Sequence, residues 1–277
     1  MTVWEFTALV WGLSTLAGFL GALTGLGGGV IVVPALTLAL GVDMKYAIGA
    51  SLVSVIATSS GAAAAYVREG FSNIRIGMFL EIATTLGAIF GAFLAGRFST
   101  HALAIIFGLV LIQAAYQSFK GPPHDVLVES HGLARRLRLS GSYPVEGKQQ
   151  HYGSKNVPAG FSLMFGAGAL SGLLGIGSGA VKVIAMDQAM RIPFKVSTTT
   201  SNFMIGVTAA ASAGLYLSRG LIDPRVAMPV MLGVLGGALL GARVLVHANV
   251  RLLRNIFAFV VLALAIEMIV NGIMKRI

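Results

Sequence analysis

Three groups of residues in this chain have types and spacings suited to chemistry. The first is a pair of glycine clusters, Gly25-Leu26-Gly27-Gly28-Gly29 and Gly175-Ile176-Gly177-Ser178-Gly179, set 150 residues apart. Each glycine costs a helix about 1 kcal/mol against alanine, so a cluster breaks one. The helix that restarts beyond a break offers free backbone N–H groups and the positive end of its dipole, which attract anions. Gly27, Gly28 and Gly29 would supply these groups in the first cluster, and Gly177, Ser178 and Gly179 in the second. Close helix packing alone would also explain the glycines, but two breaks at matching positions favour a binding site.

The second group is polar and uncharged. Ser51 and Ser201 are equivalent at the 150-residue offset, with Ser54 near the first and Thr198, Thr199, Thr200 and Asn202 around the second. Such side chains donate to an oxyanion. Their other use is interhelical hydrogen bonding, worth under about 2 kcal/mol in a membrane. The third group is charged. Lys182 follows the second break by three residues, where the first copy has Val32. At membrane depth it attracts an anion, unless it snorkels to an interface. Glu81 and Glu267 lie within apolar stretches and are candidates for carrying a coupling proton, although each is within reach of a helix end. Arg97, Arg243, Arg251 and Arg254 read as interfacial, and Asp187 as a cap or loop residue.

Other chemistry finds no residues. There are no cysteines, and the five histidines show no metal-ligand spacing, so neither a metal nor a cofactor is expected. Gly175 to Ala180 fits G-x-G-x-x-A, but the strand and βαβ unit that a dinucleotide site needs are missing from the pattern. Ser178 has no base in view to activate it, so the chain reads as no enzyme.

The elements that must hold these residues follow from composition. The chain has 277 residues, 56% hydrophobic and 11% charged, against about a quarter charged in a soluble domain. Continuous apolar runs argue an all-α polytopic membrane protein rather than a β-barrel, whose strands alternate. The net charge of +10 reads as Lys and Arg in cytoplasmic loops, not as a nucleic-acid surface, since no basic patch is interleaved with aromatics. The first apolar run lacks a basic region and a cleavage signal ahead of it and reads as a retained helix.

Spans are expected at 5–24, 46–67, 76–96 and 101–119, then at 159–174, 196–217, 226–246 and 252–272. Residues 30–41, and a matching segment to 190, are too short to span alone and suit half-helices or re-entrant segments. Residues 120–158 carry four prolines and six Lys/Arg and form a hydrophilic linker, cytoplasmic by its arginines. The domains are therefore a repeat at 1–119, the linker at 120–158 and a second repeat at 159–277, each repeat having four spans and about eight spans in all. Lys45, Tyr66 and Arg75 match Lys195, Tyr216 and Arg225 without a gap, which small apolar residues alone would not establish. An odd number of crossings per half would invert the second copy and an even number would leave it parallel; the short segments leave this open.

The glycine clusters, with Val33-Pro34 in the first half and Leu170 to Leu174 and Thr198-Thr199-Thr200-Ser201-Asn202-Phe203 in the second, resemble the TauE/SafE (sulfite exporter) family of membrane permeases. Ser178 stands where the family often has a third glycine, and Ile184 where the first copy has Pro34, so the two half-sites are chemically unequal. The resemblance implies transport of sulfite, sulfoacetate or related organosulfonates; the residues themselves say only small anion. The expectation is a secondary transporter in a plasma membrane, binding between the two breaks through Gly27–Gly29, Ser51, Gly177–Gly179, Lys182, Thr200, Ser201 and Asn202. An anion channel, or a carrier of another small solute, is the alternative. Partners are the anion and the bilayer, with a homodimer permitted by the glycine-rich helix faces.

Overall fold

The computed structural model describes residues 3–24, 28–68, 72–120, 130, 132–145, 148–245 and 250–275. Helix α1 (Val3–Thr24) leads to the first break. A short α2 (Gly29–Pro34) follows and runs into a π-helical turn (Ala35–Ala39). Then come α3 (Met44–Arg68), α4 (Ile74–Ala95) and α5 (Thr100–Lys120). The linker folds as a one-turn α6 (Leu133–Arg136) and an antiparallel hairpin, β1 (Gly141–Val145) with β2 (Lys148–Tyr152). The second half is α7 (Val157–Leu174), α8 (Gly179–Ile184) with its π turn (Ala185–Ala189), α9 (Phe194–Ser218), α10 (Pro224–Leu245) and α11 (Val250–Ile273). The starts of α2, α3, α4 and α5 recur 150 residues later at α8, α9, α10 and α11. Pro34 is absent from the second copy, which has Ile184, so proline is not what produces the π turn.

Among the described residues, five helices are long and apolar enough to cross a membrane: Ile74–Ala95, Thr100–Gln117, Val157–Leu174, Pro224–Gly241 and Asn255–Ile273. They present Met78, Ile82, Leu86, Phe259 and Ile266 outward, the arrangement of a protein whose outer solvent is lipid. Between helices, glycine permits backbone contact. Alanine at Gly168 or Gly172 would overlap the Thr84 or Ala88 carbonyl of α4, and at Gly237 it would overlap the Thr15 carbonyl of α1.

These contacts fix direction. Gly87 meets Phe165 and Gly91 meets Ala169, so α4 and α7 run parallel. Asn73 meets Thr200 and Glu81 meets Thr208, so α9 runs parallel to both. Two consecutive parallel helices require the segment between them to run back. Accordingly, Met190 at its end lies against Gly160, and its carbonyl accepts from Lys155 N at 2.9 Å. The eleven residues of α8 and its π turn rise about 16 Å, which puts the second break well inside a bilayer core of ~30 Å. Helices α5 and α11 run antiparallel: His101 lies by Gly272, Gly108 by Ala265, and the Phe119 and Phe259 rings are 5.5 Å apart.

The linker packs onto one end of the bundle. Ala134, Leu139, Tyr143 and Tyr152 share a core with Ile76 and Leu80 of α4, Met186, Met190 and Met204. Asn73 ties the parts together. Its Oδ1 caps α4 by accepting from Ile76 N at 3.0 Å, and its Nδ2 donates to Tyr152 Oη at 2.8 Å.

Candidate functional site

The two breaks meet at the centre of the bundle. A side chain on Gly29 would press on Ser51 Oγ at 2.7 Å and on the Gly175 carbonyl at 3.0 Å. Ser51 Oγ itself donates to that carbonyl at 2.8 Å, and Ser201 Oγ donates to the Gly179 carbonyl at 3.2 Å. The two equivalent serines therefore fasten the second break to α3 and to α9. Tyr216 Oη donates to the Gly172 carbonyl at 3.2 Å, meeting one of the acceptors that the end of α7 leaves free. Gly175 and Gly177 both have φ +69°, and Ser178 has φ 47°, a left-handed conformation that a non-glycine residue adopts at a cost.

Between the breaks lies a cavity of about 20 Å³, room for one water. Val30 bounds it on the first half, Ser178, Gly179 and Val181 on the second, and Gln113 and Gln117 on α5. Ser178 Oγ and Gln117 Nε2 are buried without a hydrogen-bond partner among the described residues, an unusual state for two polar atoms on one cavity. Val30 and Gly179 belong to the first turn of their helices, where N–H groups have no intrahelical acceptor. The cavity is smaller than a three-oxygen anion, so the helices stand closed around it.

A second polar centre lies deeper in the second half. Lys182, fully buried, donates to Thr208 Oγ1 at 2.6 Å, and Thr208 Oγ1 lies 2.7 Å from Glu81 Oε1. Thr85 Oγ1 donates to the same carboxylate oxygen at 3.2 Å, while Glu81 Oε2 is buried without a partner among the described residues. At the face opposite the linker, Lys45, Arg97 and Arg219 line a cavity of 320 Å³ together with Phe93, Gly96 and Leu221. Arg219 is held by the Ala92 carbonyl at 2.7 Å, and Arg97 lies over the Phe93 ring at 4.6 Å.

The residues singled out from sequence therefore separate. Gly28, Gly29, Ser51, Gly177, Ser178, Gly179 and Ser201 gather at the breaks; Gly27 lies outside the described residues. Thr200 Oγ1 instead accepts from Asn73 N at 3.0 Å, below the linker, and Asn202 is half-buried on α9 away from the cavity lining. Lys182 joins Glu81 rather than the cavity. Glu267 is exposed on α11, outside both centres. Two members went unread. Gln117 is one polar residue near a helix end, and Thr208 one hydroxyl in a small-residue helix; only the fold gives either a neighbour.

The comparisons with known proteins follow this architecture. A family model described as "Sulfite exporter TauE/SafE" matches residues 10–268. The chain is 26% identical to "Probable membrane transporter protein YunE" of Bacillus subtilis, covering 94% of this chain and 96% of that one. It is 26% identical to a "Probable membrane transporter protein" of Xylella fastidiosa, with 93% of each covered. To "Probable membrane transporter protein YdhB" of Bacillus subtilis it is 27% identical, over 83% of this chain and 85% of that one. No solved structure matches.

Proposed function

The chain belongs to the sulfite exporter TauE/SafE family of membrane proteins, and from that premise we propose a secondary transporter of small sulfur-containing anions, sulfite or an organosulfonate such as sulfoacetate. The observation that carries this reading is the cavity between the two breaks, with Ser178 Oγ and Gln117 Nε2 unpartnered beside the first turns of two helices. An oxyanion there accepts from both side chains and from backbone N–H groups, and two helix dipoles favour its charge. The basic cavity of Lys45, Arg97 and Arg219 supports an anionic substrate, because it concentrates anions at one mouth.

The recurrence of elements at an offset of 150 residues, with equivalent helices α5 and α11 antiparallel, supports inverted repeats. Inverted repeats exchange conformations across the membrane, which is the geometry of alternating access. The closed cavity corresponds to the occluded state of that cycle. The linker's arginines support a cytoplasmic linker face in a plasma membrane.

The test is radiolabelled sulfite flux into proteoliposomes, competed by sulfoacetate, sulfate, acetate and chloride. Saturable flux with counterflow, blocked by sulfoacetate and not by acetate, is expected. Flux that rises linearly with gradient and shows no counterflow would make the protein a channel. Folded protein without sulfite flux would overturn the substrate class.

A further inference from the structure

We propose that Glu81 is a proton-binding site wired through Thr208 to Lys182, and that its occupancy drives the carrier; this rests on the transport reading above. The first argument is asymmetry. Positions equivalent to Lys182, Thr208 and Glu81 at the 150-residue offset are Val32, Thr58 and Met231. The equivalent place between α2, α3 and α10 thus has valine and methionine where the centre between α8, α9 and α4 buries an ammonium and a carboxylate. Burying two charges is expensive, and apolar residues of similar size often stabilise as well or better. The fold has no need of the pair, so its retention points to use.

The second argument is a count of hydrogens. The Thr208 hydroxyl has one hydrogen and two acceptors in reach, Glu81 Oε1 at 2.7 Å and the Met204 carbonyl at 2.9 Å. With Glu81 ionised, Thr208 donates to the carboxylate. When a proton from solvent adds to Glu81, the carboxylic acid can donate to Thr208, and Thr208 turns its hydrogen to Met204. Lys182 donates to Thr208 in both states. Glu81 Oε2 is buried and bonded to nothing among the described residues, so the ionised carboxylate is left under-satisfied and a proton on Oε1 relieves it. Its release to solvent on the other face returns Glu81 to carboxylate and completes the cycle.

The third argument is linkage to the cavity. Lys182 lies one turn beyond Ser178 and Gly179, on the short α8 whose first residues bound the cavity. Neutralising Glu81 removes the counter-charge of Lys182 and so changes the force on the helix that forms the cavity wall. Among the described residues no other ionisable side chain is built into this centre. Helix α7 has none, and on α9 the nearest to Thr208 are Lys195 and Tyr216, 13 residues before and 8 after it. On α4 it is Arg75, six residues before Glu81; beyond Lys182 it is Asp187, half-buried five residues on.

The experiment compares labelled sulfoacetate accumulation driven by a pH gradient, at clamped membrane voltage, with counterflow at equal pH on both sides. Sulfoacetate stays ionised at neutral pH, so a trapped pH dye reads the protons moved by the protein per anion. Wild type should accumulate sulfoacetate and acidify the lumen with it. Glu81→Gln, which keeps a donor and cannot ionise, should lose accumulation at least tenfold while counterflow falls less than threefold. The double variant E81M/K182V, which copies the equivalent residues Met231 and Val32, should fold and be equally uncoupled; this guards against a misfolded single variant. Lumen acidification by E81Q equal to wild type would overturn the proposal. Saturable wild-type flux without proton movement would overturn it too, while leaving the transport reading intact. Absence of any wild-type flux would overturn the transport reading instead.

Discussion

Ser178 carries a left-handed backbone and a hydroxyl that bonds nothing among the described residues, two costs at one position beside the cavity. Ser178→Ala loses no hydrogen bond on folding, so its stability should stay within about 0.5 kcal/mol of wild type. Its KM for the transported anion should rise about ten- to a hundredfold, the worth of one hydrogen bond to a charged group. Unchanged KM in the flux assay would remove Ser178 from the site. Gly177→Ala behaves differently. Its φ of +69° costs alanine about 1–2 kcal/mol, and the new methyl would meet Ile205 Cγ2 at 2.9 Å. Lower thermal stability and lost flux together are expected, against lost binding alone for Ser178→Ala. At this scale the glycine clusters and serines were legible, because breakers and hydroxyls in apolar runs stand out one by one. The pairing of Lys182 with Glu81 was not, since a hundred residues separate them in sequence.

Packing of the broken elements depends on bare backbone. Gly168 faces the Thr84 carbonyl so closely that any side chain forces α7 from α4, whereas Gly166, two residues away on the same helix, has open space around it. Gly168→Ala should therefore cost about 1–3 kcal/mol or fail to fold, and Gly166→Ala should be neutral or slightly stabilising. Melting of the purified variants in detergent checks this, and equal melting points would refute the close approach. The expected spans at 76–96 and 159–174 fall within two residues of α4 and α7. Apolar length and the loop residues around it determine such limits locally. The linker's α6 and hairpin had no comparable signal. They form because Tyr143, Tyr152 and Leu139 find the ends of α4 and α9 to pack on, a surface that exists only after the bundle assembles.

For the whole molecule, direction is the property with the widest consequence. Helix α4 starts at the linker, where Asn73 meets Tyr152, and ends at Ala95 on the far face. The chain has no cysteine, so single cysteines report sidedness without background. Ser142→Cys in the hairpin and Ser99→Cys beyond α4, both exposed, should react with an impermeant maleimide from opposite sides of the membrane. Labelling from one side would overturn the traced directions. Sequence by itself determined the all-α membrane class, the apolar stretches that became α4 and α7, and the glycine break before α8, because each depends on hydropathy and backbone propensity along a short stretch. Tertiary structure alone decided that the broken segment before α9 runs back into the bundle, that α5 and α11 oppose each other, and that Lys182 faces Glu81 and not the cavity. Those outcomes depend on which helix faces which, and in a uniformly apolar chain that choice is made by glycine-to-carbonyl contacts between distant residues, which leave no periodic trace in the sequence.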